Sequence, residues 1–158
     1  MRILKNSCET AGNVGIGTTN NAYLLAVGSS ASAAYCNGTT WQNGSDRNGK
    51  EDFAAINPRA VVEKVSALPI TKWKYKVEAD GTEHLGPVAQ DFHAAFGLNG
   101  PDDKHIATVD EEGVALAAIQ GLNQKLEETR ADNAALRADN ADLRARIEKL
   151  ECLLQPSK

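Results

Sequence analysis

The chain has 158 residues, 42% hydrophobic and only 5% aromatic, with a formal net charge of −4. That length allows one modest core, or a small core plus an extended element. The negative balance argues against a general nucleic-acid binder, whose partner is a polyanion, and scarce aromatics argue against a base-stacking platform.

No apolar run approaches the ~20 residues of a membrane helix, so no membrane partner is expected. The opening Met1-Arg2-Ile3-Leu4-Lys5-Asn6 lacks the apolar centre of a signal peptide, which points to a cytoplasmic product or a fragment of a longer chain. Cys8, Cys36 and Cys152 follow no metal spacing and read as reduced thiols. His84, His93 and His105 form no ligand pattern. Neither a metal nor a cofactor is expected.

Residues 1–44 are rich in Gly, Ser, Thr, Asn and Ala, with Arg2, Lys5 and Glu9 as their only charges. Short β-like pieces at Val14–Ile16 and Tyr23–Val27 alternate with turn residues. Their apolar content cannot hold a core alone. Either identical chains share their apolar faces, or the segment is a disordered linker.

Residues 45–112 read as a small α+β unit. Asn57-Pro58 opens a helix, Val61, Val65 and Leu68 recur at helical spacing, and Pro69 ends it. Trp73, Tyr75 and Val77 alternate with Lys72, Lys74 and Lys76, which predicts a half-buried strand over 72–77. Asp80-Gly81 makes a turn and Leu85-Gly86 begins a return strand. A short helix over 89–96 stops at Gly97, a loop covers 99–103, and His105–Val109 is expected as a last short strand.

Residues 109–154 form a long helix, with Thr108 and Glu111 at capping-box spacing. Ile119, Leu122, Leu126, Thr129, Asn133, Leu136, Asn140, Leu143, Ile147, Leu150 and Leu154 alternate steps of three and four, an a/d coiled-coil seam. Pro156 is expected to end it. With Leu126 at a, Asp132 meets Arg137, Asp139 meets Arg144 and Arg146 meets Glu151 in a parallel pairing, always with opposite sign. A solvated single helix is the plainer alternative. Gly113 and Gly121 each cost about 1 kcal/mol against Ala, so the first turns are expected to gain their helicity by packing on the 45–112 unit. Asn133 and Asn140 at a positions specify register, and the seam alone leaves dimer and trimer open.

Ser45-Asp46-Arg47-Asn48-Gly49-Lys50-Glu51 resembles the start of the intramolecular chaperone auto-processing domains (the S74 peptidase family) found at the C-termini of phage tail fibres and endosialidase tailspikes. Ala67-Leu68-Pro69 with the strand that follows, and Gly86-Pro87-Val88-Ala89-Gln90-Asp91-Phe92, are similar to later motifs of that family. Asn13-Val14-Gly15-Ile16-Gly17-Thr18-Thr19 is similar to repeats that often precede it in fibre shafts. Gly49 stands where the family usually has a larger residue, and Phe53 replaces a common Ile.

The resemblance implies three domains: a β-rich fibre-shaft end at 1–44, an α+β chaperone core at 45–112 and a parallel coiled coil at 109–154. It implies a homotrimer with the shaft of the same chain as partner, made in the host cytoplasm, whose mature shaft sits on the virion tail. It also implies autoproteolysis between Gly44 and Ser45 by a Ser45–Lys50 dyad, with Asp46, Arg47 and Gln90 in support. A serine needs a nearby base, and a lysine serves as one only where burial or a neighbouring cation disfavours its charge. Without the resemblance, Ser45-Asp46 is ordinary turn chemistry and Lys50 a surface lysine. Gln90 and Asp91 equally suit a polar pair that holds a loop. Trp41 suits either a sugar platform or a packing contact, and Cys152 falls at an outer position of the coil. The alternative function is an uncleaved trimeric fibre tip that binds host glycans.

Overall fold

The computed structural model describes residues 12–18, 22–28 and 33–154. Cys8, the opening residues and Pro156 lie outside them. The chain divides into two compact units, Met1–Ala55 and Ile56–Lys158.

The first unit holds a four-stranded sheet: β1 (Val14–Ile16), β2 (Leu25–Val27), β3 (Ala34–Cys36) and β4 (Trp41–Gln42), side by side in chain order. β1 runs parallel to β2, and the later neighbours are antiparallel. The strands have two or three residues each, as expected where Gly and Ser turns interrupt the chain so often. Only Gly15 and Ala26 are buried within them, while Val14, Ile16, Val27 and Trp41 stay exposed. Tyr23 and Tyr35 stack with centroids 3.6 Å apart.

The second unit is a mixed α+β fold dominated by one helix. Helix α1 (Pro58–Ala67) begins where expected: Asn57 accepts from the amides of Arg59 and Ala60, and Pro58 occupies the first turn. A two-stranded antiparallel hairpin follows, β5 (Thr71–Trp73) and β6 (His84–Gly86). Helix α2 (Ala89–Phe96) ends on Gly97, whose φ of 66° is the left-handed stop glycine supplies cheaply. Helix α3 runs from Thr108 to Leu154. Among the described residues, no helix is long and apolar enough to cross a membrane.

Three expectations are corrected. The strand over 72–77 forms only as Thr71–Trp73, and Val77 is 91% exposed rather than half-buried. Its partner β6 supplies three residues, after which Glu78 N bonds Tyr75 O and the chain turns. The alternation there builds an aromatic knot instead: Trp73 stacks on His84 at 4.8 Å and Tyr75 meets both edge-on. The strand at His105–Val109 does not form. Asp102 binds the Lys104 amide and the His105 ring, and Asn99 binds the His105 carbonyl, so these groups hold a loop rather than a ladder. Thr108 is the first helical residue rather than the cap ahead of it, because the Ala107 carbonyl accepts from Asp110 and Glu111.

Helix α1 packs along the early turns of α3. Ala117 and Gly121 are buried there, and two ion pairs, Arg59–Glu128 at 2.6 Å and Lys125–Glu63, flank them. The packing expected of the first turns of α3 is thus present at Gly121, although Gly113 stays exposed. The buried Ala117 and Gly121 are not a/d positions. Ile119, Leu122, Leu126, Leu136, Leu143, Ile147 and Leu150 are all 45–63% exposed. Asn133 and Asn140 turn back on their own helix, donating to the carbonyls of Thr129 and Leu136.

Candidate functional site

Ser45 follows Gly44 in an exposed extended stretch after β4. The next residues turn sharply because Asp46 caps a single 3-10 turn, Arg47–Gly49: its Oδ1 accepts from the Asn48 amide at 2.9 Å and from the Asn48 side chain at 3.1 Å. Gly49 N reaches Asp46 O and Lys50 N reaches Arg47 O, which completes the turn. The chain leaves the turn extended at Lys50.

That turn brings Lys50 back onto Ser45. Lys50 Nζ donates to Ser45 Oγ at 2.7 Å. The contact has the length of a nucleophile–base hydrogen bond. Both side chains are exposed. Gly49 lies in right-handed 3-10 backbone, a conformation that a residue with a side chain can also hold.

Asp46 and Arg47 stand in the same turn. Asp46 shapes it, while the Arg47 guanidinium lies over the ring of Phe53, 5.0 Å from its centroid. Nothing in the residue pattern signals that contact, since Asp-Phe is not a recognisable turn signal. Just upstream, Trp41 is exposed and its ring nitrogen donates to Asn43 at 3.1 Å.

Gln90 belongs to the second unit, in the first turn of α2. There it lines an open cavity with Trp73, Tyr75, Gly86, Ala89 and Lys104, so the Gly86–Gln90 motif and the aromatic strand end on one surface. Trp73 Nε1 is buried without a hydrogen-bond partner among the described residues.

Two carboxyls with shifted values lie in loops of the second unit. Asp80 is held below the usual carboxylate range by hydrogen bonds from Thr82, and Asp102 by the Lys104 amide and the His105 ring. Both fix loops of the second unit. The seam residues Ile119 to Leu150 lie along one exposed face of α3. Among the described residues, no three His, Cys, Asp or Glu side chains gather as a metal requires.

No curated protein and no solved structure matches the chain. One family model does match, over the segment that contains the Ser45–Lys50 pair, α1, the hairpin and α2, and it supports a chaperone-like role. That family is peptidase S74, described as chaperone of endosialidase; it covers residues 45–100 and is the family that the motifs resemble.

Proposed function

We propose that this chain is a C-terminal intramolecular chaperone that trimerises a phage tail fibre or tailspike and then releases itself by cutting between Gly44 and Ser45. The observation that carries this reading is the 2.7 Å contact between Lys50 Nζ and Ser45 Oγ, directly after Gly44 and at the start of the matched family segment. The unpartnered apolar seam of α3 supports assembly, because an exposed stripe of Leu and Ile over five heptads is stable chiefly against copies of itself.

In the cut, the Ser45 hydroxyl proton passes to a neutral Lys50 amine as Oγ bonds to the Gly44 carbonyl carbon. The bond from that carbon to the Ser45 nitrogen breaks, and the nitrogen takes up a proton. The resulting ester joins Gly44 to Ser45 Oγ, and water hydrolyses it to a Gly44 carboxylate and a free Ser45 amine. Attack on the Gly44 of a neighbouring copy balances in the same way. Both side chains are exposed in the single chain, so the dry surroundings that a lysine base needs have to come from copies closing over the loop. Assembly therefore precedes cleavage. Removal of residues 45–158 then makes assembly effectively irreversible, because the released clamp no longer offers a route back. The chain would act in the host cytoplasm and leave its shaft on the virion tail.

Mass spectrometry of freshly expressed protein, with sedimentation equilibrium of the product, tests this. A trimer that yields a fragment beginning at Ser45 supports it. A trimer that stays whole indicates the uncleaved, glycan-binding tip instead, and a monomer overturns both.

A further inference from the structure

Five positions separate Ser45 from Lys50, and Gly49 lies between them with more backbone freedom than any other residue type. A contact across such a loop persists only if something else narrows the loop's choices. Asp46 caps its beginning. Its end is fixed differently. Asp52 has a φ of 55°, in the left-handed region that residues with side chains seldom enter, and then at a cost in strain.

The next residue, Phe53, places its ring under the Arg47 guanidinium, whose carbon lies 5.0 Å from the ring centroid. Phe53 is 63% exposed, so it is not a core residue that happens to touch an arginine. Its ring is held against the first residue of the turn that separates nucleophile from base.

We propose that Phe53 is a positioning residue for the Ser45–Lys50 pair: its ring holds Arg47, closes the 47–53 loop, and offsets the freedom of Gly49 so that Lys50 stays on Ser45. The inference rests on the autocleavage reading for one of its two tests and is independent of it in the other.

The first test follows the rate at which the fragment beginning at Ser45 appears. Phe53→Leu keeps an apolar side chain and loses the ring face. A cation–π contact at an exposed site is large enough to change a rate roughly two- to five-fold, and Phe53→Leu slows cleavage by that factor. Phe53→Tyr keeps the face and cleaves like the parent. Gly49→Ala stiffens the right-handed turn, so it restores the Phe53→Leu protein and changes the parent less. Phe53→Leu at the parent rate, Phe53→Tyr as slow as Phe53→Leu, or Gly49→Ala speeding both backgrounds equally overturns the proposal.

The second test needs no cleavage. In the full-length Ser45→Ala chain, amide nitrogen relaxation reports order at Gly49 and Lys50. Order falls with Phe53→Leu and returns when Gly49→Ala is added; unchanged order sinks the positioning role. If the parent never cleaves while order changes as stated, the autocleavage reading fails and the positioning of Lys50 stands.

Discussion

Gly121 of α3 lies against Pro58, the first residue of α1: a methyl group at Gly121 would overlap the Pro58 carbonyl and come within 2.6 Å of Val62 Cγ2. The glycine that weakens the helix is therefore what lets α1 lie down on it. At Gly113, by contrast, an added methyl meets nothing within 4 Å.

The two glycines should respond with opposite signs. Gly113→Ala removes a helix penalty of up to about 1 kcal/mol and adds no clash, so it stabilises. Gly121→Ala gains the same propensity but overpacks a backbone contact that no rotamer change relieves, at about 1–3 kcal/mol. Urea unfolding of the full chain should show net destabilisation of roughly 1–2 kcal/mol for Gly121→Ala. Equal stabilisation by both substitutions would place α1 elsewhere.

The same helix pair should loosen in acid. Lys125 holds the Glu63 carboxyl below the ordinary glutamate range, first by a hydrogen bond and then by its charge, with Arg59 adding to it. A carboxyl whose value is depressed on folding contributes stability above its unfolded value and loses it as pH falls through the folded one. Thermal unfolding should therefore lose stability as pH drops into and below the carboxylate range. Glu63→Gln should lose less over that interval, while Asp80 and Asp102, which are also depressed, keep the rest of the slope. Parallel profiles for parent and Glu63→Gln would show that the pair contributes nothing.

What was legible in the sequence was local or strictly periodic. Asn57-Pro58 and Gly97 mark helix ends through the chemistry of single turns, and the heptads repeat over so long a stretch that no other element fits. The strand over 72–77 misled because alternation does not distinguish a half-buried strand from aromatic rings folded around a turn, and only the short partner β6 decides. His105–Val109 has strand composition, but side-chain bonds from Asn99 and Asp102 compete for its backbone. β3 and β4 are too short to signal themselves. At the site, the family motif pointed to Ser45 and Lys50, while no residue pattern announces the left-handed Asp52 or the Arg47–Phe53 contact. The docking of α1 on Gly121 is a contact across more than fifty positions, and its only trace was a costly glycine inside a helix.

The open seam makes a prediction about charge. In a parallel assembly in register, Asp132 faces Arg137 and Asp139 faces Arg144 on neighbouring copies. Arg137→Asp with Arg144→Asp turns these attractions into repulsions and should weaken assembly by roughly 1–2 kcal/mol, more at low salt. Sedimentation equilibrium at two salt concentrations reads this directly. A loss of assembly that does not depend on salt would count against the register.

The last prediction separates the chemistry from the fold. Ser45 and Lys50 are exposed and lie outside both the α1–α3 packing and the seam, so replacing either should leave assembly intact. Ser45→Ala removes the oxygen proposed to attack Gly44, and Lys50→Ala removes the proposed base while leaving that oxygen in place. General-base catalysis is worth about 10²–10⁴-fold, so Lys50→Ala should slow cleavage at least about a hundred-fold. Lys50→Arg can still donate to Ser45 Oγ, yet guanidinium stays protonated and cannot take the hydroxyl proton, so it should fail as well. Cys36→Ser, in β3 and away from the dyad turn, should cleave like the parent. All four proteins should sediment as trimers, and intact mass should separate the three whole chains from the cut one. Cleavage between Gly44 and Ser45 that survives in Ser45→Ala would rule out Ser45 as nucleophile. Cleavage that survives in Lys50→Arg but not in Lys50→Ala would instead make Lys50 a donor that orients Ser45, with the proton leaving by another route.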